Sequence, residues 1–339
     1  MKPLGLHLVF VITSCHHSKA FLPSVVPSTS VPRTKTSTLL FSATTVQPSE
    51  TSAIGTIGSG YLPLLAAKLA AHRQHAKSWI ISSPSEIDVM RQLSSTADDD
   101  GSLTSLEFVF ASDTSRIKEL LSVTDALMFA NDDVNEAVDT SVINYILDPA
   151  KATKIKRVVA MSRNLNGSGM GMFVSASQKA ANAQVWDNSN KDAYLQYENE
   201  IQKAAQNCGA DWTIVRAGTL KGGACGENNM YPTFLAQSYY ELSKNDVTQW
   251  QLLFDINVRG VKLAKGDVLS GPGVKAVFTA TGTEEHEGDS GRCGVAEAMV
   301  RSLELEGAAN VDFGVGTSAR RDVPSEEEWE ELFRGCCLS

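Results

Sequence analysis

The chain has 339 residues, a formal net charge of -9 and only 7 % aromatic residues. An acidic surface does not attract nucleic acid or anionic lipid, and no basic run carries interleaved aromatics, so a nucleic-acid partner is excluded. With 42 % hydrophobic residues, the composition is that of a globular protein large enough to bury a core without staples.

The N-terminus reads as two targeting zones. Lys2 gives a short positive start, Leu4 to Ser14 are largely apolar, and Ser18-Lys19-Ala20 offers a small-residue cleavage site. So short an apolar run is a signal peptide, over 1–20, rather than a membrane span. From Phe21 to Ser49 the chain is rich in Ser, Thr, Pro and Val, carries Arg33 and Lys35, and has no acid before Glu50. That is transit-peptide composition, assigned to 21–45. Ala20-Phe21-Leu22-Pro23 resembles the bipartite presequence of algae with complex plastids. The expected location is the plastid (chloroplast) of such an alga, in the stroma or on the stromal thylakoid surface. Plain secretion with a disordered N-terminal stretch is the competing reading. No later segment is apolar enough for a transmembrane span.

From about Ala53, apolar runs alternate with longer helical stretches, the sign of βαβ units and a parallel sheet. Strands are predicted at Thr51 to Ile54, Trp79 to Ile81, Glu107 to Ala111, Ala126 to Ala130, Arg157 to Met161 and Trp212 to Arg216. Between them, Tyr61 to His72, Ser85 to Leu93, Thr114 to Leu121, Val134 to Leu147 and Ala193 to Asn207 read as helices, the last ending near Gly209. Leu165 to Ser189, rich in Gly, Ser, Met and Asn, reads as a loop or lid. After Gly222 the pattern loosens. Leu252 to Val261, Val274 to Ala280 and Val311 to Val315 read as strands; Ala296 to Leu305 and Glu326 to Phe333 read as helices. The expected fold is α/β, a doubly wound parallel sheet of Rossmann type over 50–335, with a small irregular C-terminal region for a substrate or partner.

The six cysteines form no framework, and none stands at a metal-ligand spacing, so no metal site is expected. Cys336-Cys337-Leu338-Ser339 fits a prenylation box by its letters alone.

Ala53-Ile54-Gly55-Thr56-Ile57-Gly58-Ser59-Gly60 precedes the first helix. In a dinucleotide fold the first glycine makes the turn, the second lets the backbone approach the pyrophosphate, and the helix N-terminus supplies amide donors. Gly55, Thr56, Ile57, Gly58, Ser59 and Gly60 are therefore candidate cofactor residues. Read as Gly55-x-x-Gly58-x-Gly60, the third glycine of the commoner spacing is replaced by Tyr61. The second strand runs into Ser82-Ser83-Pro84-Ser85 with no acid at once and no nearby Arg. The Ser82 and Ser83 hydroxyls are candidate donors to a 2′-phosphate, which favours NADP, with NAD the alternative.

Cys208-Gly209-Ala210-Asp211-Trp212-Thr213-Ile214-Val215-Arg216-Ala217-Gly218 resembles the turn, strand and glycine loop of atypical short-chain dehydrogenases/reductases, the NmrA-like group and its plastid relatives. Arg292-Cys293-Gly294-Val295-Ala296 resembles the group's late "R-x-D-V-A" helix, with Gly294 in place of Asp. The resemblance covers about Ile54 to Phe333. It implies a nicotinamide dinucleotide as ligand and places Asn131 and Ser162 along the cofactor cleft.

Catalytic members of the group carry a Tyr-x-x-x-Lys pair, in which the lysine lowers the tyrosine pKa and binds the nicotinamide ribose. Counting back from Gly209 puts this pair at Tyr194 and Glu198, so the lysine is absent. Tyr197 has no lysine partner either. Tyr240-x-x-x-Lys244 matches by letters but follows the wrong strand. The candidate catalytic residues are Tyr194 and Ser162. Plastid relatives without the pair include assembly and protein-import factors. The resemblance therefore implies a non-catalytic or redox-sensing scaffold with plastid protein partners, and, as the alternative, an NADPH-dependent oxidoreductase.

Overall fold

The computed structural model describes residues 53–74, 77–94, 106–132, 137–163, 191–221, 260–266, 289–318, 320 and 322–337. The presequence, the Leu165 to Ser189 loop, the Val274 to Ala280 strand and the Tyr240/Lys244 pair lie outside these residues.

The apolar runs become strands as the buried-sheet pattern requires. They are β1 (Ala53–Ile57), β2 (Lys77–Ser82), β3 (Leu106–Phe110), β4 (Thr124–Phe129), β5 (Arg157–Arg163) and β6 (Asp211–Ala217). The helices between them are α1 (Tyr61–Gln74), α2 (Pro84–Ser94), α3 (Thr114–Leu121), α4 (Thr140–Ile146) and α5 (Lys191–Asn207). Short β7 (Thr219–Lys221), β8 (Gly260–Lys265) and β9 (Asp289–Gly291) precede α6 (Arg292–Glu304), β10 (Val311–Ser318) and α7 (Glu326–Cys337).

Eight strands form one sheet in the order β3-β2-β1-β4-β5-β6-β10-β8. All neighbours are parallel except β10 and β8. β7 and β9 form a separate parallel pair. The chain winds outward from β1 through β2 and β3, then returns to β4 and winds the other way. The strand order therefore reverses between β1 and β4, and in open α/β sheets the crevice beyond the C-terminal ends at such a point is where ligands bind.

Successive strand residues face opposite sides. Val159 and Met161 join a core with α1, α6 and α7, whereas Val158 and Ala160 join one with α3, α4 and α5. α1 is apolar nearly all round, with Leu62, Leu64, Leu65, Ala66, Ala67, Leu69 and Ala70 buried. Such a helix must be covered on more than one side; α6 packs along it and closes the layer.

Three differences from the sequence reading have physical causes. β1 runs to Ile57, beyond the predicted Ile54, because Gly55 and Thr56 sit between two partner strands. α4 is shorter than predicted: Asp139 caps it, accepting a hydrogen bond from the Ser141 N–H at 2.7 Å, and this local bond starts the helix. Cys293 is disulfide-bonded although no pairing was expected, and its partner lies outside the described residues. No described helix is long and apolar enough to cross a membrane. No metal-holding cluster occurs among the described residues.

Candidate functional site

The site is built at the C-terminal ends of β1, β2, β4, β5 and β6. The β1–α1 loop is Gly58-Ser59-Gly60. Gly58 has φ +145, and a Cβ there would lie 1.5 Å from the Ala130 carbonyl oxygen. Gly60 has φ +94, and its Cβ would lie 2.4 Å from Cβ of Asp132. Both positions therefore require glycine. The loop is laced to the segment after β4: the Ala130 N–H donates to Ile57 O at 3.0 Å and the Asp132 N–H to Ser59 O at 3.0 Å. The Ser59 hydroxyl donates to Asn131 Oδ1 at 2.5 Å.

Gly55, Thr56 and Ile57 belong to the buried interior of β1, not to the loop. They were expected to line the cofactor; the structure places them in the strand that leads into the turn. Gly55 is glycine because the Trp79 ring fills the space, with Cζ2 2.1 Å from where a Cβ would stand. The turn thus begins at Gly58, and the spacing is Gly58-x-Gly60-x-x-Pro63. Pro63 occupies the third-glycine position in the first turn of α1, where a missing N–H removes no helical bond.

At the end of β2, Ser83 precedes Pro84, the first residue of α2. Glu86 accepts weakly from the Ser83 N–H at 3.4 Å, the N3 half of a capping box. Its carboxylate also accepts from the Ser83 hydroxyl at 3.0 Å and from the Ser82 hydroxyl. Free serine hydroxyls facing a 2′-phosphate are therefore not what the geometry presents. Both donors are engaged by an acid that sequence reading passed over because it is four residues beyond the strand.

The Tyr/Lys position is resolved clearly. Glu198 is 3 % exposed and receives Arg216 of β6 through Nε at 3.0 Å and Nη2 at 2.7 Å. Arg216 also donates to Gly266 O at 2.9 Å and pairs with Asp312 of β10. Burial works against the Arg216 charge, but Glu198 and Asp312 outweigh it and hold its pKa above the ordinary value. Glu198 is thus the counter-ion of the arginine in the "DWTIVR" strand.

Tyr194 and Tyr197 are buried in the α5-side core, rings edge to face at 6.4 Å. Burial pushes the Tyr197 hydroxyl well above its ordinary pKa, and Tyr194 and Glu198 add to the shift. Proton transfer near neutrality needs the opposite. Ser162 stands two residues beyond Ala160 on the same face of β5. Its Oγ is fully buried with no hydrogen-bond partner among the described residues, so it bonds neither tyrosine.

Asp132 falls, with Asn131, where the family resemblance lines the cleft; Arg163 and Arg292 were not foreseen as site residues. Arg163, at the end of β5, donates to Asp132 O at 2.7 Å, Asn131 O at 3.3 Å and Gly218 O at 3.2 Å. Arg292, the first residue of α6, grips the Asp132 carboxylate through Nε at 3.0 Å and Nη2 at 3.0 Å. A basic residue ending an apolar strand was the available signal for Arg163. Arg292 was visible only as part of the family motif.

A doubly wound sheet with a glycine turn at its reversal point defines a dinucleotide-binding protein of Rossmann type. The sequence profile of the NAD(P)H-binding family matches residues 64–252, and the chain belongs to that family. The match begins inside α1, so the Gly58–Gly60 loop is assigned by geometry. No curated protein matches the chain in sequence. Similar solved structures include a short-chain dehydrogenase/reductase of Veillonella parvula, 12 % identical with TM-score 0.45, covering 81 % of this chain and 99 % of that one. A wide-type short-chain dehydrogenase/reductase of the same organism, in complex with NADP, is 12 % identical with TM-score 0.42, covering 78 % and 94 %. Yeast methylglyoxal/isovaleraldehyde reductase, complexed with NADPH, is 10 % identical with TM-score 0.45, covering 78 % and 75 %.

Proposed function

We propose that this protein binds a nicotinamide dinucleotide at the β1/β4 crevice and works as a non-catalytic or redox-sensing assembly factor rather than by Tyr/Lys hydride transfer. The observation that carries this is the Glu198–Arg216 pair. The position that would hold a ribose-binding cation holds a buried acid, and that acid is committed to the fold. The neighbouring tyrosines are packed as core residues.

The end of β2 selects the cofactor form. A carboxylate accepts hydrogen bonds from ribose hydroxyls and repels a 2′-phosphate. With Ser82 and Ser83 both bonded to Glu86, NAD(H) is favoured over NADP(H). Gly58, Ser59 and Gly60 hold the diphosphate side, and Asn131 and Ser162 border the nicotinamide side.

The alternative reading, an NADPH-dependent oxidoreductase, draws on one observation. Ser162 Oγ is a buried hydroxyl without a hydrogen-bond partner among the described residues, at the end of β5, where a substrate oxygen would approach. The proposed site of action is the plastid, on the strength of the presequence composition in residues 1–45. Partners there would be plastid proteins.

Titration with NADH and NADPH, followed by nicotinamide fluorescence, tests the proposal, together with cofactor oxidation across a panel of carbonyl compounds. NADH binding without turnover is the expected result. Turnover would establish the oxidoreductase, and binding of neither form would overturn both readings. A fluorescent fusion of residues 1–45 tests the location: import into the plastid is expected, and export from the cell would overturn it.

A further inference from the structure

Among the described residues, Cys208, Cys336 and Cys337 carry no disulfide. The last two are neighbours in the final turn of α7, and they differ in access. Cys336 is 4 % exposed and belongs to the core with Phe333, whereas Cys337 packs at the edge of that core and is half-buried. The two sulfurs are in contact: the Cys336 S–H donates to the Cys337 sulfur. The prenylation letters single out Cys336, the thiol that the fold encloses.

Lys265, at the end of β8, and Asp312, in β10, act on the pair from the sheet, and Arg334 shares the last turn of α7. Asp312 is paired with Arg216, which blunts its repulsion of a thiolate. The hydrogen bond from Cys336 holds the Cys337 thiol below its ordinary pKa; burial and Asp312 oppose this, and Lys265 assists. The negative end of α7 opposes a thiolate as well, so the contact with Cys336 is the main favourable effect. Donating that bond, and burial, keep Cys336 protonated. Cys208 is also half-buried, but its S–H donates to Leu147 O at 2.9 Å, and burial and then Asp148 push its pKa up. The thiolate is the nucleophile, so one of the three thiols is primed by its surroundings and two are not.

We propose that Cys337 is a redox-modification site that takes a low-molecular-weight thiol as a mixed disulfide, with the buried Cys336 as its positioning residue. The oxidant is a small disulfide, R–S–S–R. The Cys337 thiolate attacks one of its sulfurs; a Cys337–S–R bond forms, the old S–S bond breaks, and R–S⁻ leaves with the electron pair and takes up a proton. Cys337 is oxidised and half of the small disulfide is reduced. Cys336 does not displace the adduct while α7 stays helical. Neighbouring Cα atoms lie about 3.8 Å apart, short of the roughly 4.4–6.8 Å that a disulfide spans, and side chains at i and i+1 of a helix diverge. The helix thus makes the pair a site for an adduct rather than for an internal disulfide. The site neither uses nor alters the dinucleotide reading.

The test is a time course of the full chain with oxidised glutathione, mapped by peptide mass spectrometry at Cys208, Cys336 and Cys337. Under native conditions the Cys337 adduct should form at least about tenfold faster than one on Cys208, the effect of one unit of thiol pKa on the thiolate fraction. A small dithiol reductant should remove it. In urea the three thiols should react alike, because the preference belongs to the fold. Cys336→Ala should slow the Cys337 reaction about tenfold and move its pH profile upward; Cys336→Ser, which keeps a donor, should restore both. Where Cys336→Ala does not fold, Cys336→Ser and the comparison of native with urea-unfolded protein decide. An adduct on Cys208 or Cys336 formed as fast as that on Cys337, no adduct on Cys337, or a Cys336–Cys337 disulfide in its place overturns the site. A Cys337 rate and pH profile indifferent to Cys336→Ala overturns the positioning role.

Discussion

Glu198 shows how one residue carries both a functional and a structural argument. Removing one partner of a buried ion pair leaves the other charge uncompensated, at a cost of about 3–5 kcal/mol. Glu198→Gln should destabilise the protein by that order in urea unfolding, because Arg216 keeps only Asp312 and a carbonyl. Glu198→Lys, which rebuilds the Tyr-x-x-x-Lys letters, should destabilise at least as much and yield no NADH oxidation. A stable, active Glu198→Lys protein would show that the acid merely replaced a catalytic cation. The family resemblance made the missing lysine legible, since counting back from Gly209 puts Glu198 at its position. It did not make Arg216 legible as its partner, because i,i+4 logic reads within one helix and this pair joins α5 to β6.

At the scale of elements, strand and helix types were readable from periodicity, while boundaries depended on neighbours. β1 lengthens because Trp79 and Leu127 flank Gly55, which no local pattern reveals. That shift moves the turn from Gly55 to Gly58 and changes which glycine matters. Gly58→Ala would force a side chain into the Ala130 carbonyl at a φ that only glycine tolerates, a strain of about 1–3 kcal/mol. It should abolish NADH binding and lower the melting temperature. Gly55→Ala should lower the melting temperature through the Trp79 clash, and any loss of NADH binding should then track unfolding. At β2, Glu86→Gln removes the repulsive charge near a 2′-phosphate and should shift relative affinity toward NADPH. Unchanged NADH and NADPH affinities would show that the ribose lies elsewhere.

Across the whole molecule, the C-terminal α7 packs on β8 and β10, on the face of the sheet that α1 and α6 cover. It buries Trp329, Phe333 and Cys336, with Phe333 edge-on to Phe313 of β10 at 5.5 Å. The amphipathic pattern of Glu326 to Phe333 foretold that burial but not the charges beside it. Glu326 accepts from Arg301 of α6 at 2.7 and 2.8 Å and from Arg73 of α1 at 2.9 and 3.1 Å, residues remote in sequence. Hydrogen bonds from Arg301, then Arg73, hold the Glu326 carboxyl well below the ordinary carboxylate range, against a smaller opposing effect of burial. A depressed native pKa means that the unfolded chain binds the proton first, so the contribution is complete above the ordinary value of 4.5 and is lost as pH falls below it. The side chain remains 63 % exposed, so solvent screening keeps the magnitude modest. Thermal unfolding from about pH 6 to about pH 3 should show wild type more stable than Glu326→Gln by a constant margin at the upper end, narrowing below about pH 4.5 as the carboxylate of the unfolded chain takes up its proton. A margin that stays level or widens on acidification would mean that α7 is held by its apolar face alone.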